Sequence, residues 1–195
     1  WAESTDGAFL HTLFVTSRTA TGAWRSAPGD PTASEQIRRP ESLPVWSDRV
    51  EHAAEATTRT DPARDEAAAR AINAPDAVTG ATPKHGFDLH SVLPHSTDSV
   101  VVYLEVNAST DFNRAYPAEA SPSHEGYSGG EWGSGQPSLI YRATIDPRQA
   151  GNRTQLHLHG HGSPDGSDGR IYDDLSGITT ARSMLSKVEL TVSAQ

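Results

Sequence analysis

Three histidines alternate with other residues in the last quarter of the chain, at His157, His159 and His161. On an extended backbone, side chains two positions apart share a face and lie roughly 6 to 7 Å apart, so the three imidazoles would point the same way. Imidazoles bind zinc or copper, and such an ion needs a third or fourth ligand. The loop that follows offers the carboxylates of Asp165, Asp168, Asp173 and Asp174. The pattern predicts a divalent-metal site at the three histidines with Asp165 and Asp168.

The loop after the histidines has two other interpretations. The stretch from Asp165 to Gly169 is similar to the middle of a calcium loop, where carboxylate oxygens surround a hard cation at a sharp glycine turn. Alternatively, Leu156 and Leu158 face the core, the histidines face solvent or a partner, and the Asp-Gly steps form a hairpin loop. The sequence leaves these alternatives open.

A second chemically specific segment runs from Asp76 to Thr82 and reads Asp-Ala-Val-Thr-Gly-Ala-Thr. It resembles the acceptor motif of proteins that carry covalently attached flavin mononucleotide (FMN), in which a flavin transferase joins the flavin phosphate to the last threonine. The resemblance implies FMN on Thr82, with Asp76 and Thr79 presenting the segment to the transferase. Gly80 and Ala81 allow close backbone approach, and exposed amides can receive phosphate oxygens. The same residues also describe an ordinary turn, which the proline after Thr82 would end.

A broader pattern covers about the first half of the chain. It comprises Trp1, Glu3, Asp6-Gly7, Phe9, Thr12-Leu13, Trp46, the segment 76–82 and Gly86. This pattern resembles the predicted periplasmic bacterial family called domain of unknown function 2271. Members of that family are small exported domains, expected to be β-sandwich-like and associated with flavin transferases and membrane redox proteins. The resemblance implies a periplasmic or otherwise extracytoplasmic, redox-associated protein, and no particular reaction.

The composition of the chain argues against several classes of protein and of functional site. The net charge of -9 argues against nonspecific nucleic-acid binding, which needs clustered Lys and Arg. No apolar run reaches the roughly 18 to 20 residues of a transmembrane helix. The chain has no cysteine, so disulfides, thiolate metal sites and cysteine nucleophiles are excluded. Because the sequence starts at Trp1 and its one methionine is Met184, we expect that a signal peptide or an anchor once preceded it.

Alternation of apolar and polar residues predicts the strands. They lie at 8–16, 100–106, 138–145, 155–159 and 187–192. Since no long helix separates them, we expect a mostly β fold, an antiparallel immunoglobulin-like sandwich formed by a single domain over 1–195.

Two short surface helices and two long loops complete the prediction. The helices are expected at 61–73, where Pro62 suits a first turn, and at 180–186. Loop-rich insertions are expected at about 17–60 and 108–137, and loops of this length are usually functional or bound to a partner.

The sequence favours a non-catalytic protein over an enzyme. The common catalytic signatures are missing from it, and the adjacent acids Asp173 and Asp174 would point to opposite faces of a strand. The leading hypothesis is an extracytoplasmic accessory or interaction subunit of a membrane redox or electron-transfer assembly, with a protein partner. The alternatives are an electron-carrying domain with FMN at Thr82 and a metal-binding domain centred on His157, His159 and His161.

Overall fold

The structure of the chain is a computed structural model, and it describes residues 1–16, 19, 39–60, 77–78, 86, 88–93 and 98–193. Nine strands and one α-helix are described. The strands are β1 (Ala2–Ser4), β2 (Phe9–His11), β3 (Val15–Thr16), β4 (Ala77–Val78), β5 (Val100–Val106), β6 (Leu139–Ile145), β7 (Arg153–Gln155), β8 (His157–His161) and β9 (Glu189–Thr191). The helix is α1 (Pro44–Thr60), and short 3₁₀ helices occupy Gly130–Trp132 and Thr180–Ser183.

Five strands form one antiparallel sheet in the order β2-β1-β5-β6-β8. Its centre is the pair β5 and β6, which are in register over seven residues from Val100↔Ile145 to Val106↔Leu139. β1 and β2 form a hairpin, whose turn contains Asp6 and Gly7, and Gly7 adopts a positive φ of 90° that suits glycine. β1 lies between β2 and β5, so the first strand of the chain is internal to the sheet.

Two small sheets accompany the large one. β7 and β9 pair antiparallel, and β3 and β4 pair in parallel. Leu190 and Val192, from β9 and the residue after it, pack against Val100, Val102 and Ile145 of the large sheet. This packing of one sheet on another confirms the predicted mostly β sandwich with long loops and few helices.

The opposite face of the large sheet is covered by α1. Pro44 opens the helix, where a missing N–H costs nothing, and Ser47 N donates to Leu43 O at 3.1 Å. The buried side chains Val45, Trp46 and Val50 project from one side of the helix and join a cluster that includes Trp1, Val15 and Ile140. A second cluster, around Leu139, Tyr141, Leu156, Ile178 and Ala181, fills the other face of β6.

The strand predictions are confirmed in place and corrected in extent. β5 and β6 match the predicted strands to within one residue at each end. The predicted strand at 8–16 is interrupted between β2 and β3, and the one at 155–159 is divided between β7 and β8. Of the predicted helix at 180–186, a 3₁₀ helix over Thr180–Ser183 is present.

The insertion predicted to be loop-rich at about 17–60 contains an unpredicted long helix, because α1 occupies Pro44–Thr60. The apolar residues of this helix are few, but they share one side and bury well. The helix predicted at 61–73 lies outside the described residues. No helix in the described part of the chain is long and apolar enough to cross a membrane.

Candidate functional site

The strand that carries the three histidines does not keep a regular alternation. Tyr141 pairs with Leu158 and Ile140 pairs with Gly160, so one extra residue, His159, is inserted opposite β6. His157 lies opposite Arg142 and is exposed. Burial and the nearby positive charge of Arg142 lower the pKa of His159. The bulge therefore breaks the shared face that the sequence predicts.

His161 is fixed in the protein interior. Its backbone exchanges hydrogen bonds with Tyr172, at 2.9 and 2.8 Å, and its ring stacks on the Tyr172 ring at a centroid distance of 5.4 Å. Its Nδ1 lies 2.7 Å from the carbonyl oxygen of Gly162. These contacts hold the His161 imidazole against Tyr172 rather than in a row with exposed His157.

The two predicted aspartate ligands are used within their own loop. Asp165 Oδ1 accepts hydrogen bonds from Ser163 Oγ at 2.7 Å and from the Ser167 amide at 3.0 Å. Asp168 accepts hydrogen bonds through Oδ1 from the Arg170 amide and through Oδ2 from the Tyr172 hydroxyl.

The five predicted metal ligands are therefore not brought together. Among the residues that the structure describes, which include all five, no group of three or more His, Cys, Asp or Glu side chains could hold a metal ion. Two features cause this: the bulge at His159, and the hydrogen bonds that His161 and both aspartates already form with neighbouring residues. One part of the alternative interpretation is confirmed, since Leu156 and Leu158 both belong to the second hydrophobic cluster. Its expectation that the histidines face solvent or a partner does not hold for His161, which is buried.

Only part of the predicted flavin segment is described. Ala77 and Val78 form β4 and pair with Val15 and Thr16 of β3. Asp76 and the run Thr79, Gly80, Ala81 and Thr82 lie outside the described residues. FMN attachment at Thr82 therefore stays a prediction.

Sequence reasoning misses a buried glutamate at the junction of α1 and the large sheet. Glu105, on β5, is 8 % exposed and reaches the first turn of α1. Its Oε2 accepts a hydrogen bond from the Trp46 amide at 2.8 Å, and its Oε1 accepts from the Val45 amide at 3.2 Å and from Ser138 Oγ at 2.6 Å. A carboxylate in this position satisfies amides at the start of a helix that have no partner within the helix. Burial nevertheless raises the pKa of Glu105 to about 7.

Two other buried glutamates hold neighbouring segments. Glu3 Oε1, on β1, accepts from Trp1 Nε1 at 2.8 Å and from Arg49 Nε of α1 at 3.1 Å. Glu41 precedes α1, burial raises its pKa, and its backbone carbonyl accepts a hydrogen bond from Asn107 Nδ2 at 3.0 Å. Glu3 and Glu105 share the face of the sheet that α1 covers, so recognition of α1 in the sequence would have marked both as buried.

A polar centre built on Gln136 joins the segment 108–137 to the segment that precedes β9. Gln136 is 1 % exposed, and its Nε2 donates to Asp111 Oδ2 at 2.7 Å and to Thr180 Oγ1 at 2.5 Å. Its Oε1 accepts from the Thr179 amide at 2.6 Å. The Thr180 hydroxyl in turn donates to Asp111 Oδ1 at 2.6 Å. These bonds hold in place a segment that composition alone predicts as a loop.

Three large apolar side chains are exposed in the described part of the chain. Among the described residues the large exposed hydrophobic side chains are Leu10, Leu89 and Val92, which we call the apolar border. Leu10 is on β2, an edge strand of the large sheet. Leu89 and Val92 belong to the segment 88–93, which Leu93 fixes against the cluster of Val100, Val102 and Ile145.

Comparisons with known proteins identify no relative of this chain. No protein-family model, curated protein or solved structure matches the chain. The resemblance to the periplasmic family, and the extracytoplasmic location that it implies, therefore stay predictions.

Proposed function

We propose that this chain is a non-catalytic interaction domain that binds a protein partner of a membrane redox assembly outside the cytoplasm. The observation that carries the proposal is the apolar border of Leu10, Leu89 and Val92, whose side chains are 40 %, 44 % and 61 % exposed. Large apolar side chains exposed to solvent are candidates for protein contact surfaces when a partner covers them. Among the described residues β2 has a strand neighbour on one side only, and the edge of a strand offers backbone groups for pairing with a partner.

Leu89 and Val92 are held close to the body of the domain by their neighbour Leu93. Leu93 packs against Val100, Val102 and Ile145, on the face of the large sheet opposite to α1. Leu10 is the extra residue where the register of β1 and β2 shifts, between the pairs Ala2↔His11 and Glu3↔Phe9. Alternation along β2 therefore does not assign Leu10 to a face, and Leu10 belongs to the apolar border because it is exposed on that strand.

The acidic residues with the strongest burial support a structural rather than a catalytic use. Glu105 holds α1, Glu3 holds Trp1 and Arg49, and Glu41 packs beside the loop glycine Gly129. A catalytic carboxyl group must reach a substrate, and these three are at most 8 % exposed. Their hydrogen bonds stabilise the scaffold that presents the border.

We expect a double substitution, Leu10→Asp and Val92→Asp, to weaken partner binding by at least about tenfold, because charge is inserted into the core of the proposed contact. The free energy of unfolding should change little, since both side chains are exposed. The measurement is recovery of partners by cross-linking in native membranes, followed by mass spectrometry. Ala150→Asp, on the exposed turn that follows β6, is the matched control. Equal recovery with both variants, or no partner with the wild type, contradicts the proposal.

The second candidate is an electron-carrying domain with FMN on Thr82. It is favoured by the pairing of β4 with β3, which fixes Ala77 and Val78 of the motif to the body of the domain. We expect the protein from its native host to show the mass of one added FMN and flavin fluorescence on a denaturing gel. Thr82→Ala should lose both signals, whereas Thr82→Ser keeps the hydroxyl group and should retain part of them. An unshifted intact mass of the wild-type protein rules this candidate out.

A further inference from the structure

The carboxyl group of Glu105 is enclosed where α1, β6 and the end of β8 meet. Amides of α1 and the hydroxyl of Ser138 contact its two oxygens at 2.6 to 3.2 Å. On the remaining side the chain passes at Gly162, where a Cβ atom would lie 2.6 Å from Ser138 Oγ, 2.6 Å from Pro44 Cγ and 3.3 Å from Glu105 Oε1. Glycine at this position lets the backbone close over the carboxyl group.

Charged and titratable groups on the segments around Glu105 are the Trp1 amino group and side chains of β1, α1 and β8. The amino group of Trp1 attracts the ionised carboxylate, and burial lowers the pKa of that amino group to about 6. Glu3 of β1 forms an ion pair with Arg49 of α1 at 3.1 Å, so these two opposite charges neutralise each other. From β8, His161 turns its ring to the neighbouring tyrosine. The hydrogen bonds that reach Glu105 come from neutral donors.

We propose that Glu105 is a proton-binding site that couples the attachment of α1 to the sheet with pH. With a proton from solvent on Oε1, the carboxyl group can donate to Ser138 Oγ while Oε2 still accepts from the Trp46 amide. Without that proton, a negative charge is enclosed between helix and sheet, and removing it from water is costly. Ionisation therefore favours a conformation in which α1 separates from β5 and water reaches the carboxylate. This inference is independent of the proposed partner binding.

The direction of the effect follows from the pKa of Glu105. Burial raises this pKa from 4.5 to about 7, so the closed conformation binds more protons than the open one between these values. The free energy by which protonated Glu105 favours the closed conformation is fully present below pH 4.5 and is lost as the pH rises to about 7. A difference of this size corresponds to a change of roughly 300-fold in the opening equilibrium. In a chain that begins at Trp1, the Trp1 amino group acts in the opposite sense, because its contribution is lost as the pH falls.

The test is amide hydrogen exchange at Val45 and Trp46 from about pH 5 to about pH 8, corrected for intrinsic exchange. In the wild type the opening equilibrium should rise by roughly a hundredfold over this range, and in Glu105→Gln it should stay nearly flat. The difference between the two proteins isolates Glu105 from the Trp1 amino group. Ser138→Ala removes a donor to the ionised form and should move the transition to higher pH. Glu189→Gln, on an exposed part of β9, should leave the wild-type profile unchanged.

A direct titration keeps the test decisive if Glu105→Gln fails to fold. The carboxyl carbon of Glu105 in the wild-type protein, followed by NMR, should titrate with a midpoint about 7. A midpoint near the ordinary value of 4.5 overturns the proposal. So does a wild-type exchange profile at Val45 and Trp46 that Glu105→Gln reproduces.

Discussion

Trp46→Ala is expected to lower the free energy of unfolding by about 3–5 kcal/mol, because the substitution opens a cavity where α1 meets the sheet. The Trp46 side chain is 8 % exposed and packs in the cluster with Trp1, Val15 and Ile140. Its Nε1 also donates to Thr12 Oγ1 at 3.1 Å, and this bond is lost as well. Equilibrium unfolding in urea measures the change. For a domain of this size the loss corresponds to a fall in Tm of roughly 6 to 20 °C.

A graded variant separates the cavity from the hydrogen bond. Trp46→Phe keeps an aromatic ring in the cluster and removes the indole N–H, so we expect it to lose clearly less than the alanine variant. The lost bond to Thr12 is expected to contribute about 1 kcal/mol of that smaller loss. If Trp46→Ala costs less than about 1 kcal/mol, the packing of α1 on the sheet does not contribute substantially to the core.

The second large effect is expected at Gln136, where Gln136→Glu should lower the free energy of unfolding at neutral pH by about 3 kcal/mol or more. The substitution preserves size but turns the donor Nε2 into an acceptor that faces Asp111 Oδ2, at present 2.7 Å away, and the Thr180 hydroxyl. Two carboxylates so close disfavour the state in which both are ionised, so the folded variant holds a proton on the pair more readily than the unfolded chain does. The stability that Gln136→Glu loses relative to the wild type should therefore be smallest in acid and grow as the pH rises.

The chain contains a matched control for Gln136→Glu. Gln149 also donates through Nε2 to an aspartate, Asp146 Oδ2 at 3.2 Å, but it does so on an exposed turn. Gln149→Glu makes the same chemical change beside the same kind of partner in water, and we expect it to alter stability by no more than about 0.5 kcal/mol. Urea unfolding of both variants at neutral and acidic pH gives the comparison. Equal losses in the two variants would show that the buried centre at Gln136 does not stabilise the fold.

The central strands could be predicted because their pattern and their environment agree. Along β5 the residues Val100, Val102, Leu104 and Val106 share one face and pack against the clusters there. The same alternation places Tyr103 and Glu105 on the other face. A glutamate on that face predicts that the face is exposed to solvent. α1 reverses that conclusion, since it covers this face and supplies two amide donors to the carboxylate.

The helix itself could not be located from local residue types. Pro44, Val45 and Trp46 follow a segment rich in Ser, Thr, Pro and charge, and the helix gains its stability from packing on the sheet.

The bulge between His157 and His161 could not be predicted for a different reason. Regular alternation predicts one face for the three histidines, but the pairing with β6 inserts His159 as an extra residue. A bulge is a property of two paired strands, so one strand's sequence does not reveal it.

The internal position of β1 has a consequence for how the chain folds. Residues 2–4 pair with residues 100–102, so nearly a hundred residues separate partners that lie side by side. Contacts so distant in sequence raise the contact order, and folding slows because a long loop must close before the pairing compensates for its entropy. During synthesis the hairpin of β1 and β2 leaves the ribosome well before β5 exists. β1 therefore joins the large sheet only after β5 has been made. A chain that ends before residue 100 leaves exposed the edge of β1 that β5 covers in the folded protein.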